Sequence, residues 1–375
     1  MNRPYIICHM VTSIDGKVTG DFLYKPECEK ATDIYYEINR NLKCNGFICD
    51  RVTMEGSFTD CWYPDISAFQ EEEIIDFIPE NLSGFYAVSF DTNGKLGWKN
   101  AFINDEDEGY NKAQVIEVLS ENVNKKYLGY LKSKNIPYIF AGKEKTDVNT
   151  ALKKLKELFN IEMLLLEGGS IINGAFLKAD AIDEISLVTA SIVADKNDKS
   201  LFMDSEIKDF ELVKCDNKNG ALVSNYLKKG NRASNNTIRI KWDKPLKLDE
   251  AIANELSNKQ GLYYITRVFG KKETTLYLGI ATKNNTIRHR LNGHKSWLKY
   301  YRGTIKVRLG HIIYPYTNMD EVIDHAESAI LYEQKNLFLE NTAKIQSYKY
   351  NNIYKIENIG DIFELKEFID MNKQE

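Results

Sequence analysis

The stretch Met163-Leu164-Leu165-Leu166-Glu167-Gly168-Gly169-Ser170 constrains this chain more than any other. Four consecutive apolar residues leave no solvent face, so they describe a short strand covered on both sides, as in parallel sheets. The Glu-Gly-Gly that follows stops the strand in a turn where backbone can come close to a neighbour. In an open parallel sheet, ligands sit in the crevice beyond the carboxyl ends of the strands, and glycines there let backbone N–H groups face a phosphate. The same glycines also suit a plain strand-to-helix turn, and the motif alone does not separate the two.

The segments before and after this stretch repeat its logic. Residues 3–11, 46–49, 84–90 and 137–143 are apolar and β-rich, and 183–188 begins a last set of strands. Between them, 31–42, 115–133, 149–159 and 176–181 carry helical spacing. Glu71-Glu72-Glu73 with Ile74-Ile75 reads as the solvated and buried faces of another helix. Strands alternating with helices at this spacing predict an α/β domain with a mostly parallel sheet. Asp15, in Ser13-Ile14-Asp15-Gly16-Lys17, falls where the first strand breaks. Its carboxylate suits either a polar substrate or its own turn.

With 375 residues the chain is long enough for two cores. No run reaches the length needed to cross a bilayer, and Met1-Asn2-Arg3-Pro4 lacks a signal-peptide pattern, so no membrane partner and a cytoplasmic location are expected. Six cysteines without C-x-x-C pairing predict reduced, mostly packed thiols. The polar, small-residue stretch 228–236 reads as the start of a linker. This places a first domain at 1–228, a linker at 229–250 and a second domain at 251–375. Charge separates the halves: residues 1–235 carry 28 Lys/Arg against 37 Asp/Glu, and 236–375 carry 22 against 17. Between 256 and 319 there are 12 basic residues and a single acid, Glu273. A bias of that size suits either a polyanion such as nucleic acid or a solvated basic face.

In the second half, two β-rich runs, 261–265 and 275–279, flank a loop through Gly270 and predict a hairpin. Helical spacing follows over 286–300 and sets Arg290 and His294 four apart on one face.

The first half resembles the RibD-type reductase domain of riboflavin biosynthesis, of the dihydrofolate-reductase-like superfamily. The resemblance spans about 3–228 and rests on Ser13-Ile14-Asp15-Gly16-Lys17, Arg51-Val52-Thr53, Leu166-Glu167-Gly168-Gly169 with Asn173, and Ile182-Asp183-Glu184-Ile185. It implies an NADPH-dependent reduction of an aminopyrimidine of the 5-amino-6-ribosylaminouracil type. Asp15 and Glu167 would face this pyrimidine or nucleotide-like substrate. Arg51, Thr53, Gly142, Gly168, Gly169 and Ser170 would line the cofactor, which carries the hydride chemistry. The resemblance also implies a homodimer. This chain departs from the family in having Asp50 where a glycine is usual, and Ser191-Ile192-Val193-Ala194-Asp195 where Pro-x-x-x-Gly is usual. A carboxylate beside a pyrophosphate is electrostatically unfavourable.

The second half resembles the GIY-YIG nuclease domain over about 258–345, a small α+β fold. Its two signature tripeptides stand as Gly261-Leu262-Tyr263 and Tyr277-Leu278-Gly279, with Arg290, His294, Glu327 and Asn341 following in order. The resemblance implies a Mg²⁺-dependent endonuclease. Glu327 would bind the metal and Arg290 the scissile phosphate. Tyr263 and Tyr277 would orient and deprotonate water, His294 would be the family's helix histidine, and Asn341 would tie the sheet to the site. Cutting a phosphodiester needs these types: a nucleophilic water, positive charge on the pentavalent phosphate and a metal for the leaving oxygen. Gln334-Lys335-Asn336 stands where the family usually has a proline. Two function classes follow: a two-domain enzyme, or a catalytically degenerate protein whose ancestral sites bind nucleotide and nucleic acid.

Overall fold

In the computed structural model, which describes residues 3–229, 237–283, 285–314, 319–346, 348 and 355–371, the apolar run at 163–166 becomes the middle strand of a nine-stranded sheet. The chain divides into two units, Met1–Ser234 and Asn235–Glu375.

The first unit runs β1 (Tyr5–Thr12), α1 (Pro26–Leu42), β2 (Gly46–Asp50), α2 (Arg51–Phe58), β3 (Tyr86–Phe90), β4 (Gln114–Leu119), α3 (Lys125–Ser133), β5 (Tyr138–Phe140), α4 (Val148–Phe159), β6 (Met163–Leu166), α5 (Ser170–Lys178), β7 (Glu184–Thr189), β8 (Phe210–Lys218) and β9 (Ala221–Lys228). Its sheet order is β5-β4-β3-β2-β6-β1-β7-β9-β8. Neighbours from β5 to β7 are parallel, and β9 and β8 close the edge antiparallel. The unit is α/β with a mixed sheet. β4 and β6 are buried at every position, because helices cover both faces. On one face Ile6, Cys8 and Met10 of β1 pack with α4 and α5; on the other, Cys28, Ala31 and Ile34 of α1 pack with Val188 and Val223.

Two helical expectations fail here. Residues 115–133 divide into β4 and α3, since Val115–Leu119 is an apolar run buried on both faces and such a run carries no period. Residues 71–75 are irregular: they lie along α3, where Gly129 has no Cβ to meet the Gln70 carbonyl and Glu72 pairs with Lys132. The helix expected at 176–181 is α5, which already starts at Ser170.

The second unit runs β10 (Thr237–Trp242), β11 (Leu246–Lys247), α6 (Leu248–Ala253), β12 (Gly261–Phe269), β13 (Lys272–Ala281), α7 (Ile287–Leu298), β14 (Thr304–Tyr314), α8 (Met319–Glu333), β15 (Lys355–Gly360) and β16 (Phe368–Asp370). Strand order is β13-β12-β14-β10-β15-β16, with β11 on β14. β12 sorts its side chains by alternation: Leu262 and Tyr264 enter the core under α8, Tyr263 and Ile265 the core under α7. The linker expected over 229–250 is shorter at its far end. Thr237–Trp242 is a strand pairing with β14 and β15, and the Trp242 indole donates to Asn358 at 2.8 Å. Its apolar alternation at Ile238, Ile240 and Trp242 was the available signal. Residues 230–236, at the near end of that linker, lie outside the described residues.

All six cysteines are free, with Cys8, Cys28 and Cys49 buried, Cys44 half-buried, and Cys61 and Cys215 exposed. Among the described residues no helix is long and apolar enough to cross a membrane.

Candidate functional site

In the first unit, β2 delivers Asp50 to the start of α2 and β6 delivers Glu167-Gly168-Gly169 to the start of α5. These meet. The Asp50 N–H donates to the Gly168 carbonyl at 2.9 Å. Its Oδ1 accepts from the Thr53 backbone N–H at 2.9 Å, which is the N-cap bond of α2. A Cβ at Gly169 would lie 2.7 Å from Asp50 Oδ2, so the glycine makes room for this carboxylate. Gly168 has φ +111°, where L side chains are strained, and its peptide bond to Gly169 is cis. The Thr53 donor at the head of α2 is thus already engaged by the chain itself.

The remaining cofactor candidates are similarly engaged, with one exception. Arg51 forms an ion pair with Glu55 at 2.7 Å, one helical turn on. Gly142, at φ +134°, is needed by its own loop, because a Cβ would lie 2.2 Å from the Lys145 carbonyl. Ser170 is the exception: it is buried, and its hydroxyl has no hydrogen-bond partner among the described residues.

Of the two substrate candidates, Asp15 lies in a turn where Ser13 Oγ donates to it at 2.7 Å and the Ala194 N–H at 3.0 Å. The Ala194 bond, then that of Ser13, holds its carboxyl below the ordinary range. Glu167 is buried and accepts from Asn39 Nδ2 at 2.6 Å. Burial pushes its carboxyl up to about 7, against hydrogen bonds from Tyr35, Asn39 and Tyr110. A cavity of about 270 Å³ opens at the other end of β2, lined by Asn39, Lys43, Gly46, Phe47, Glu108 and Leu165. It includes none of the residues that the sequence pointed to.

In the second unit Tyr277, Arg290 and His294 gather around Tyr263, whereas Glu327 pairs with Lys344 and Asn341 with the Leu278 backbone. The partner of Tyr263 across the hairpin is Gly279. A Cβ there would lie 2.4 Å from Cζ and Oη of Tyr263 and 2.6 Å from Cε1 of Tyr277, so the glycine is what lets both phenols share the site. Helix α7 starts at Thr286, whose side chain accepts from the His289 N–H, and it presents Arg290, His294 and Trp297 at spacings of four and three. His294 Nε2 is 2.8 Å from Tyr263 Oη. The Trp297 indole N–H donates to His294 Nδ1 at 3.0 Å. The Arg290 guanidinium acts on both phenols electrostatically, opposing their burial, and its Nε–H is buried with no acceptor among the described residues.

Electrostatics here follow from burial. Tyr263 and Tyr277 are both raised by it, with Arg290 opposing. His294 is pushed down to about 4 by burial and then by the Arg290 charge, so its ring is neutral at physiological pH. Glu327 on α8 is buried and raised by desolvation, and Lys344 opposes the rise from 2.8 Å. The same ammonium pairs with Asp324, one turn earlier on α8. Asn341 meets the backbone of Leu278 twice, accepting from its N–H at 3.0 Å and donating to its carbonyl at 2.9 Å.

Four contributors escaped the sequence reading. Glu55 sits four residues after Arg51, and Trp297 three after His294, so helical spacing was a signal for both. Asn39 and Lys344 reach Glu167 and Glu327 across the fold, and no local pattern announces them.

Residues 107–223 match the family model described as RibD C-terminal domain. That segment lies in the first unit and includes Glu167-Gly168-Gly169, while Asp15 and Arg51 fall outside it. This part of the first unit is therefore similar to the RibD C-terminal domain. No curated protein matches the chain. Among solved structures, RibD from Acinetobacter baumannii is 17% identical, with 61% of this chain and 59% of that chain covered and a TM-score of 0.41. A pyrimidine reductase-like protein from Corynebacterium diphtheriae is 15% identical, with 61% and 94% covered and a TM-score of 0.45. The riboflavin biosynthesis reductase Rib7 of Saccharomyces cerevisiae is 14% identical, with 61% and 91% covered and a TM-score of 0.40. The chain thus spans 59% of the length of the Acinetobacter baumannii RibD.

Proposed function

We propose that the second unit hydrolyses phosphodiester bonds in nucleic acid, and that the first is a pyrimidine-reductase-like domain whose affinity for a dinucleotide is lowered by Asp50. The observation that carries the nuclease reading is the convergence on Tyr263, with His294 Nε2 at 2.8 Å and the Arg290 charge acting on both phenols. An unpaired, buried Arg290 Nε–H supports an anionic ligand, because a phosphate oxygen would satisfy it. His294 directs Nε2 at Tyr263 Oη, and the positive charge of Arg290 favours the phenolate that would take a proton from water. Tyr277 orients that water.

Glu327 is the residue that would hold Mg²⁺. Among the described residues no group of three or more His, Cys, Asp or Glu is arranged so that it could hold a metal ion. A single buried carboxylate suits this ion, which takes one or two protein carboxylates and completes its shell with water and phosphate oxygens. When bound, it would supply positive charge for the leaving oxygen. Lys344 currently neutralises Glu327, so its side chain has to swing away from the carboxylate for an ion to be held. The 12 basic residues between 256 and 319 support a nucleic-acid partner. The test is incubation of the intact chain with Mg²⁺ or Mn²⁺ and single-stranded, duplex and branched DNA. If all three stay whole the nuclease reading falls, and retained binding would then favour the recognition-only alternative.

For the first unit, the family match over 107–223 supports reductase descent. NADPH is the proposed cofactor, and the unpartnered hydroxyl of Ser170 beside the glycine pair supports it. Asp50 acts against it, because its carboxylate already takes the Thr53 N–H and lies against Gly169. A pyrimidine or nucleotide-like molecule is the proposed substrate. Fluorescence titration with NADPH and NADH should show weak binding with NADPH preferred; tight binding of NADH alone would overturn this part. A homodimer through this unit belongs to the same proposal, and light scattering at the mass of one chain would remove it.

A further inference from the structure

We infer that Trp297 holds His294 in the tautomer carrying its proton on Nε2, which makes His294 a hydrogen-bond donor to Tyr263 and not the acceptor of its proton. Its meaning for catalysis rests on the phosphodiesterase reading above. A Trp side chain has one polar group, an N–H, and it only donates. The nitrogen it reaches, His294 Nδ1 at 3.0 Å, must therefore present a lone pair. A neutral imidazole carries a single N–H, so that proton sits on Nε2. Nε2 lies 2.8 Å from Tyr263 Oη, and the phenol oxygen is then the acceptor.

The alternatives both bring two N–H groups face to face at 3.0 Å. A neutral ring with its proton on Nδ1 would do so, and so would an imidazolium. Burial and the neighbouring Arg290 guanidinium both disfavour the imidazolium, since each acts to keep the ring neutral. The aim of the indole is set by packing. Its ring meets Tyr277 edge-on at a centroid distance of 6.1 Å and Tyr301 at 6.0 Å, while contacting His294 itself at 5.6 Å. Trp297 is thus a positioning residue: it acts on Tyr263 through His294.

This decides the direction of proton flow. With Nε2 protonated, no proton passes from Tyr263 to His294. The Tyr263 hydroxyl proton is then directed away from His294, and Tyr263 Oη accepts the His294 hydrogen bond beside the Arg290 charge. A histidine of this kind steadies a phenolate; it does not serve as the base.

The test is nitrogen NMR on the intact, metal-free protein labelled with ¹⁵N-histidine. The chain has five histidines, and His294→Gln identifies the relevant signals. At neutral pH the wild type should show a pyridine-like Nδ1 and a pyrrole-like Nε2 for His294. Trp297→Phe keeps an aromatic ring but removes the N–H, and should move both nitrogens toward the averaged values of a mixed tautomer while raising the pKa of the ring. Replacement of Trp297 by 3-benzothienylalanine, which keeps the indole shape without the N–H, should do the same if Phe disturbs the packing. A protonated Nδ1 in the wild type overturns the inference, as does a His294 spectrum unchanged by both replacements. Because the tautomer is read without substrate, an inactive protein with a protonated Nε2 would remove the nuclease reading and leave this inference standing. Active protein with a protonated Nδ1 would do the reverse.

Discussion

The head of α2 in the first unit and the face of α7 in the second both gather polar groups suited to phosphate, and they leave those groups in opposite states. At α2 the Thr53 N–H is taken by Asp50, Arg51 is paired with Glu55, and Gly169 makes room for the Asp50 carboxylate. At α7 the Nε–H of Arg290 is buried with no acceptor among the described residues, and the glycine at 279 makes room for two phenols. Glycines occur at both places, so they do not tell a phosphate site from a closed turn. What separates the two is whether buried donors are already satisfied, since an unpaired donor gains most from an incoming oxygen.

The largest effect that would sharpen this contrast is at Glu327. Glu327→Ala should lower DNA cleavage by about a thousandfold or more, because the buried carboxylate proposed to hold the ion is lost. Affinity and its salt slope should stay unchanged, since affinity comes from Lys and Arg contacts with phosphates. Arg290→Ala should cost about 3 kcal/mol of transition-state stabilisation, read as kcat/KM in the same assay. Equal cleavage by wild type and Arg290→Ala would break the comparison, because the unpaired donor would then have no role.

Next in size is the pH response of the first unit. Glu167 is near 7 in the folded chain against an ordinary 4.5, so the folded state holds the proton more tightly than the unfolded chain does. Stability contributed by this neutral carboxyl is present below pH 4.5 and is lost as pH rises through 7, on the order of 3 kcal/mol in all. Glu167→Gln stays neutral and should flatten that slope. Urea unfolding at pH 5 and pH 8 reads it, and parallel pH profiles for the two proteins would sink the idea.

The smallest effect concerns Asp50. Asp50→Gly removes a charge near the proposed phosphates and should tighten NADPH binding by about 1 kcal/mol, roughly fivefold in Kd. Loss of the cap bond to Thr53 should cost only a few tenths of a kcal/mol when the replacement is Gly. Unchanged NADPH titrations would mean that Asp50 is a helix cap and nothing more.

The sequence by itself determined what repeats at short range. The strand at 163–166, the hairpin around Gly270 and the helix carrying Arg290 and His294 follow from side-chain periods that backbone geometry imposes locally. Where a run had no period, as in β4, the sequence could not choose between strand and helix, and burial between β3 and β5 chose. Tertiary structure alone decided the partners. It put Lys344 against Glu327 and Asp324, Asn39 against Glu167, and Asp50 against Gly169. It also aimed the Trp297 N–H at His294, which helical spacing permits but does not require. The physical reason is that a local period is repeated by every turn or pleat, whereas a contact across the fold is made once. Whether a donor meets a protein acceptor or is left for a ligand depends on distances of a few tenths of an ångström that only the packed chain sets.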